Sequence, residues 1–191
     1  MKNMNPISNY IWVEVEKTHE DTILLNGKEI YLNPTYNPEF NARQHGVVYA
    51  VSDNVKNVKV GDKIYCHHFL ITKTNRVNFI EDKLIYKIQE PMVYAVVRNK
   101  KIIMLNNWVF VEQVIEDEDK CKTKSGIWIK PDQEDEELHG ILRYSNNELI
   151  EQGANIGDRV IFSDNSEYKM EIEGEKLMRM RNEDVLAVYN G

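Results

Sequence analysis

Trp12-Val13-Glu14-Val15-Glu16 and Trp108-Val109-Phe110-Val111-Glu112 are two versions of one strand, 96 residues apart, and this repetition decides how the chain is built. Val60-Gly61-Asp62-Lys63-Ile64 and Ile156-Gly157-Asp158-Arg159-Val160 recur at the same offset. Between them, Ile30-Tyr31-Leu32-Asn33-Pro34 answers Ile127-Trp128-Ile129-Lys130-Pro131 at 97, and His45-Gly46-Val47 answers His139-Gly140-Ile141 at 94. Near each end, Tyr94-Ala95-Val96 matches Leu186-Ala187-Val188 at 92. Five matches in one order indicate a tandem duplication of a unit of about 95 residues. The boundary is expected at residue 104, giving domains 1–104 and 105–191.

The repeat unit is all-β. Helical periodicity is scarce, whereas short β-branched and aromatic runs bounded by Asn, Asp, Gly and Pro are frequent. Strands are expected near 10–16, 46–51, 63–71, 76–80, 83–88 and 93–97, and near 107–115, 139–144, 159–163, 167–172, 176–180 and 185–189. Six short strands per unit predict a small closed barrel. Residues 17–44 and 116–138 resist strand assignment and read as long loops, a length that in small domains goes with function or disorder. Each loop carries one apolar triplet. Lys100 to Asn107 holds no Gly/Ser linker and leads from one strand straight to the next.

Composition bounds the function. With 42% hydrophobic and 29% charged residues and no apolar run near 18 residues, the 191-residue chain is expected to be soluble, without a membrane span. Met1-Lys2-Asn3-Met4-Asn5-Pro6 lacks the apolar core of a signal peptide, so a cytoplasmic location is expected. Cys66 and Cys121 fall at unrelated places in the repeats and imply no disulfide framework. Residues 1–105 hold 14 Lys+Arg against 11 Asp+Glu (+3), leaving 10 against 20 (-10) for the rest. Neither half has the basic footprint of a nucleic-acid binder.

Catalytic constellations are weak. Cys66-His67-His68 has the residue types of a metal or nucleophile site, but neighbouring strand residues point to opposite faces and no second Cys/His group stands at zinc spacing, so an exposed strand end is expected. His45 and His139 precede glycines and read as turn residues. Glu134 to Glu137 read as a solvated loop. No Gly-rich phosphate loop is present, so no cofactor, no metal and no enzymatic activity are expected.

The apolar triplets are the sharpest clue. Ile127-Trp128-Ile129 lies between Lys122-Thr123-Lys124-Ser125-Gly126 and Lys130-Pro131-Asp132, flanks too polar for a core. One reading is a further short strand of the barrel. The other is a loop that offers three side chains to a partner's groove.

With these residues in place the chain resembles the GroES co-chaperonin family. The second repeat carries the pattern in Ser125-Gly126-Ile127-Trp128-Ile129, His139-Gly140-Ile141-Leu142, Ile156-Gly157-Asp158-Arg159-Val160 and Asn182-Glu183-Asp184-Val185-Leu186-Ala187-Val188. The first carries it more loosely in Gly27, Ile30-Tyr31-Leu32, Gly46-Val47-Val48 and Val58-Lys59-Val60-Gly61-Asp62. The two-domain form is similar to chloroplast or phage-encoded co-chaperonins, which in the phage case places it in a host cytoplasm. The resemblance implies two tandem GroES-like barrels with mobile loops, and nucleotide-dependent binding to a GroEL-type chaperonin through Ile30, Tyr31, Leu32, Gly126, Ile127, Trp128 and Ile129. It also implies a ring closed between the first strand of one subunit and the last strand of the next. Ile23-Leu24-Leu25 is a rival triplet in the first loop. Tyr144 to Gly153 is long enough for a short β-hairpin roof, and Ser52 to Asn57 is not.

Two other classes compete. His45 to Lys63 superficially resembles the catalytic domain of medium-chain alcohol dehydrogenases, but their nucleotide fingerprint and metal ligands are missing from the sequence. A structural or adaptor protein that keeps the fold without chaperonin binding is the other alternative.

Overall fold

The computed structural model describes residues 5–16, 22–25, 27–31, 42–77, 80, 83–114, 138–164 and 168–189. The chain divides into two compact units, Met1–Asn106 and Asn107–Gly191. The first holds β1 (Tyr10–Val15), β2 (Thr22–Leu25), β3 (Lys28–Tyr31), β4 (His45–Val51), β5 (Lys63–Cys66), β6 (Leu84–Gln89), β7 (Val93–Arg98) and β8 (Lys101–Met104). The second holds β9 (Trp108–Gln113), β10 (His139–Tyr144), α1 (Asn147–Glu151), β11 (Arg159–Phe162), β12 (Tyr168–Ile172), β13 (Glu175–Arg181) and β14 (Val185–Tyr189).

Both units are barrel-like antiparallel sheets of six strands, ordered β6-β1-β4-β5-β7-β8 and β12-β13-β9-β10-β11-β14. Five strands correspond one to one. The sixth differs: β8 extends the first sheet beyond β7, and β12 extends the second beyond β13.

Alternation along β1 puts Ile11, Val13 and Val15 into a core with Val48, Ile64, Tyr86, Ile88 and Val96. Trp12, on the opposite face, is buried too, because Val77 and Ile85 pack against it. Residues 76–77 are held there by Val77 N–H donating to the Ile85 carbonyl at 2.8 Å. This second cover buries β1 on both faces at Trp12 and Val13, while Glu14 on the outer face pairs with Lys83. In the second unit Val109, Val111, Leu142, Val160, Phe162, Met178 and Met180 form the equivalent core. Each such side chain contributes about 1.5–3 kcal/mol on burial.

Strand pairing corrects the alignment of the first strands. Glu14 lies opposite Val47, and Glu112 lies opposite Ile141. Val111 therefore occupies the place of Val13, two residues beyond where the tryptophan match puts it. Trp12 corresponds to Phe110, and Trp108 to Tyr10. The tryptophans are separate uses of one residue type: Trp108 is flanked by the Arg179 and Arg181 guanidinium groups at 4.3 and 3.7 Å from its ring.

Gly46 and Gly140 fix the crossing of the first two core strands. A Cβ at Gly46 would lie 2.7 Å from the Glu14 carbonyl oxygen, and one at Gly140 would lie 2.5 Å from that of Glu112. The Gly-Asp turns are duplicated bond for bond. Gly61 and Gly157 adopt φ of 88° and 97°. Their N–H groups donate to the Val48 and Leu142 carbonyls, while Val48 and Leu142 donate back to Asp62 and Asp158. The Asp62 and Asp158 carboxylates each accept the N–H three residues earlier, at 2.7 Å.

Four expectations need correction. The segment after Tyr144 forms α1, not a β-hairpin. Asn146 caps it by accepting the Leu149 N–H, and Leu149 anchors it in the core. The Asn146 amide also exchanges hydrogen bonds with Asn182 and donates to the Trp108 carbonyl, fixing the helix to the sheet. The strand expected over 63–71 ends at Cys66, where His67 accepts the Phe69 N–H and a 3-10 turn follows over His68–Leu70. Cys66 and His68 are buried there, so this is not an exposed strand end. Strands β2, β3 and β8 lie in segments read as loop or connection.

Asp62 makes a largely buried ionic contact with Arg98 in the first unit. Burial works to raise its carboxyl, but hydrogen bonds from Arg98 at 2.6 and 2.9 Å and from the Lys59 N–H outweigh burial and hold it below the ordinary value. A depressed carboxyl adds stability above its unfolded pKa and loses it as the pH falls. Arg98→Ala is expected to cost about 2 kcal/mol in urea unfolding. That difference holds above about pH 5 and shrinks below about pH 4. Gly140→Ala, which presses a methyl group on a carbonyl, is expected to cost about 1–3 kcal/mol by the same measurement.

Candidate functional site

The first loop contains a two-stranded sheet of its own. β2 and β3 pair antiparallel, with Thr22 opposite Tyr31, Ile23 opposite Ile30, Leu24 opposite Glu29 and Leu25 opposite Lys28. The connection is Asn26-Gly27, with Gly27 at φ 75°, as expected of a tight hairpin. The two rival triplets are therefore facing arms of one hairpin. Ile30 is 41% exposed and Tyr31 81%. Leu32 lies outside the described residues, as do Gly126, Ile127, Trp128 and Ile129.

The other candidate chemistry is quiet. Burial pushes the Cys66 thiol up to about 12, which keeps it neutral and a poor nucleophile. His45 and His139 open β4 and β10 and are strand residues, not turn residues. Among the described residues no three His, Cys, Asp or Glu side chains are grouped to hold a metal ion. No helix among them is long and apolar enough to cross a membrane.

A second surface escapes the sequence pattern. β7 and β14 are equivalent strands, since Ile64 lies opposite Val96 and Val160 opposite Val188. β7 pairs with β5 on one side and β8 on the other, whereas among the described residues β14 pairs with β11 alone. Tyr94 is 3% exposed, and its counterpart Leu186 is 64% exposed. Ala187 and Tyr189 are exposed as well. The apolar run Ile102-Ile103-Met104-Leu105 is the signal that could have revealed the contrast.

The family model described as chaperonin 10 Kd subunit matches residues 101–189. It starts at Lys101, so β8 is the first strand of the matched segment although its hydrogen bonds lie in the first unit. The co-chaperonin GroES of Nitrosococcus oceani is 31% identical over 99 residues, 48% of this chain and 99% of that protein. The co-chaperonin GroES of Burkholderia vietnamiensis is 36% identical over 78 residues, 37% of this chain and 80% of its own. That of Rickettsia canadensis is 32% identical over 76 residues, 36% of this chain and 80% of its own. With nearly the whole of one such relative aligned, and five strands in the same order in each of the two sheets, the chain belongs to the GroES co-chaperonin family.

Proposed function

We propose that this protein is a non-enzymatic co-chaperonin that caps a GroEL-type chaperonin and assists folding in the enclosed chamber. Several copies form the lid, and their loops dock Ile30, Tyr31, Leu32 and Gly126, Ile127, Trp128, Ile129 into apolar grooves of the chaperonin. Binding follows the chaperonin's nucleotide state, and the chain needs no cofactor of its own. The observation that carries the reading is the hairpin β2–β3, which holds Ile30 and Tyr31 in the open on a strand of a GroES-family chain.

The magnitudes suit a reversible lid. Burying three large apolar side chains yields about 1.5–3 kcal/mol each. Ordering a free segment costs about 1–2 kcal/mol per residue, so one loop binds weakly. A hairpin already paired along its strands lowers that cost. Several loops displayed together gain about 10²–10⁴ in avidity and still release when the partner changes shape.

Serine at Ile127, Trp128 and Ile129 together is expected to abolish pull-down with a GroEL-type chaperonin plus nucleotide, leaving circular dichroism and Tm near wild type. Tyr31→Ser alone, in the first loop, is expected to weaken the pull-down without abolishing it. Retained binding in the triple variant would defeat the loop assignment, and loss of fold would assign the triplet to the core. A wild-type protein that captures no chaperonin in any nucleotide state would instead be a structural or adaptor protein.

A further inference from the structure

The Gly-Asp turns that close the β4–β5 and β10–β11 connections each carry an exposed aliphatic side chain just before the glycine. Val60 is 62% exposed, and its counterpart Ile156 is 61% exposed. Because the backbone bonds of the two turns match, these apolar tips hold the same place in each unit. The charges around them are of opposite sign.

Cations surround Val60. Arg98 donates to the Asp62 carboxylate and, at 3.0 Å, to the Asn57 carbonyl, which ties the end of β7 to the segment before the turn. Lys56 and Lys59 lie on that segment, and Lys100 and Lys101 follow Arg98, with Lys101 opposite it. All four lysines are exposed. Two of the carboxylates on this end are engaged, Asp62 by Arg98 and Glu90 by the Asn57 N–H, while Asp53 is exposed at the start of the segment. An open hollow beside Val60 is lined by Lys59, Val97, Arg98 and Asn99.

Carboxylates surround Ile156. α1 runs into the second turn through Gly153 and Ala154, whose N–H groups donate to the Ile150 and Leu149 carbonyls at 2.9 and 3.2 Å. Ile150, also exposed, is thereby held on the same segment as Ile156. Glu148 and Glu151 are exposed and three residues apart on α1, which places them near one another. The exposed Glu183 joins them, because its neighbour Asn182 donates to both Asn146 and Glu148. Arg181 has its guanidinium over the Trp108 ring at 3.7 Å.

We infer that the Val60 end of the first unit docks on the α1 end of the second unit of another copy. Ile156 and Ile150 cover Val60 and the hollow beside it, while Glu148, Glu151 and Glu183 face Lys56, Lys59, Lys100 and Lys101. An apolar centre inside a charged rim is the layout of a protein–protein contact. The complement follows the charge of the halves, +3 for residues 1–105 and -10 for the rest. Two Val60 ends, or two α1 ends, would bring like charges together, so the same groups that favour the pairing reject the wrong ones.

The contact is heterologous, since each chain supplies one end of each kind, and it sets first units against second units wherever two chains meet. It rests on the multi-copy lid proposed above only for its purpose, and it is tested on the full chain without chaperonin. In sedimentation velocity the wild type is expected to run as a multi-chain species at about 50 mM salt, with association about 10-fold or more weaker at about 500 mM. Lys56→Glu with Lys100→Glu, and separately Glu151→Lys with Glu183→Lys, are each expected to weaken association about 10-fold or more at low salt. Circular dichroism and Tm are expected to stay near wild type, because all four side chains are exposed. Mixing the two variants in equal amounts is expected to restore association, as each then meets opposite charge on the other. A contact made inside one chain would not be restored by mixing. A single-chain wild type, association indifferent to salt, charge-reversed variants that assemble like wild type, or a mixture no better than its parts would overturn the inference. None of these outcomes depends on whether the loop triplets bind a chaperonin.

Discussion

An antiparallel sheet that does not close on itself ends in two rows of backbone N–H and C=O groups, and each row must find hydrogen bonds in protein or water. The two units of this protein solve the problem differently with the same five central strands. In the second unit β12 covers β13. In the first, the equivalent β6 receives, among the described residues, the short bridge at Arg76 and Val77, and the exposed Lys87 and Gln89 lie toward the far end of that strand. At the opposite side the roles reverse, with β7 covered by β8 and β14 at the end of its sheet among the described residues. Strand pairing, more than the content of the cores, distinguishes the halves.

The features that the halves share are those that backbone geometry leaves no freedom to change. Gly46 and Gly140 stand where a methyl group would strike a carbonyl, and Gly61 and Gly157 stand at φ values that other residues rarely adopt. Where side chains can substitute for one another the halves diverge. Tyr86 and Ile88 of the first core give way to Met178 and Met180 in the second. The Tyr10 position becomes Trp108 between two guanidinium groups.

Most of the fold was legible because it rests on these glycine marks and on alternating apolar runs. The errors have physical causes. Two tryptophans two positions out of register looked equivalent, since composition records a residue type and not the strand opposite it. The Asn146 cap and the buried Leu149 turned a segment with enough residues for a hairpin into a helix turn. Lys101 to Met104 read as a connection, because only Asn99 and Lys100, both at positive φ, part it from β7 and neither is a glycine that would mark a tight turn. At the candidate site, Ile30 and Tyr31 were chosen by the Asn33-Pro34 and Lys130-Pro131 match. That they share a hairpin with Ile23 follows from Asn26-Gly27, a signal present in the sequence and passed over.

The Asn99-Lys100 turn also bears on how the protein is made. Because β8 follows β7 after two residues, the first unit has its full set of strands once residue 106 has been synthesised, before any of β9 exists. It can therefore fold during translation with no wait for a strand encoded far downstream, and its last edge is sealed by the nearest segment of the growing chain. Among the described residues, β14 of the second unit gains no such cover. Newly made protein can thus leave the ribosome with the described strands of its first half already paired.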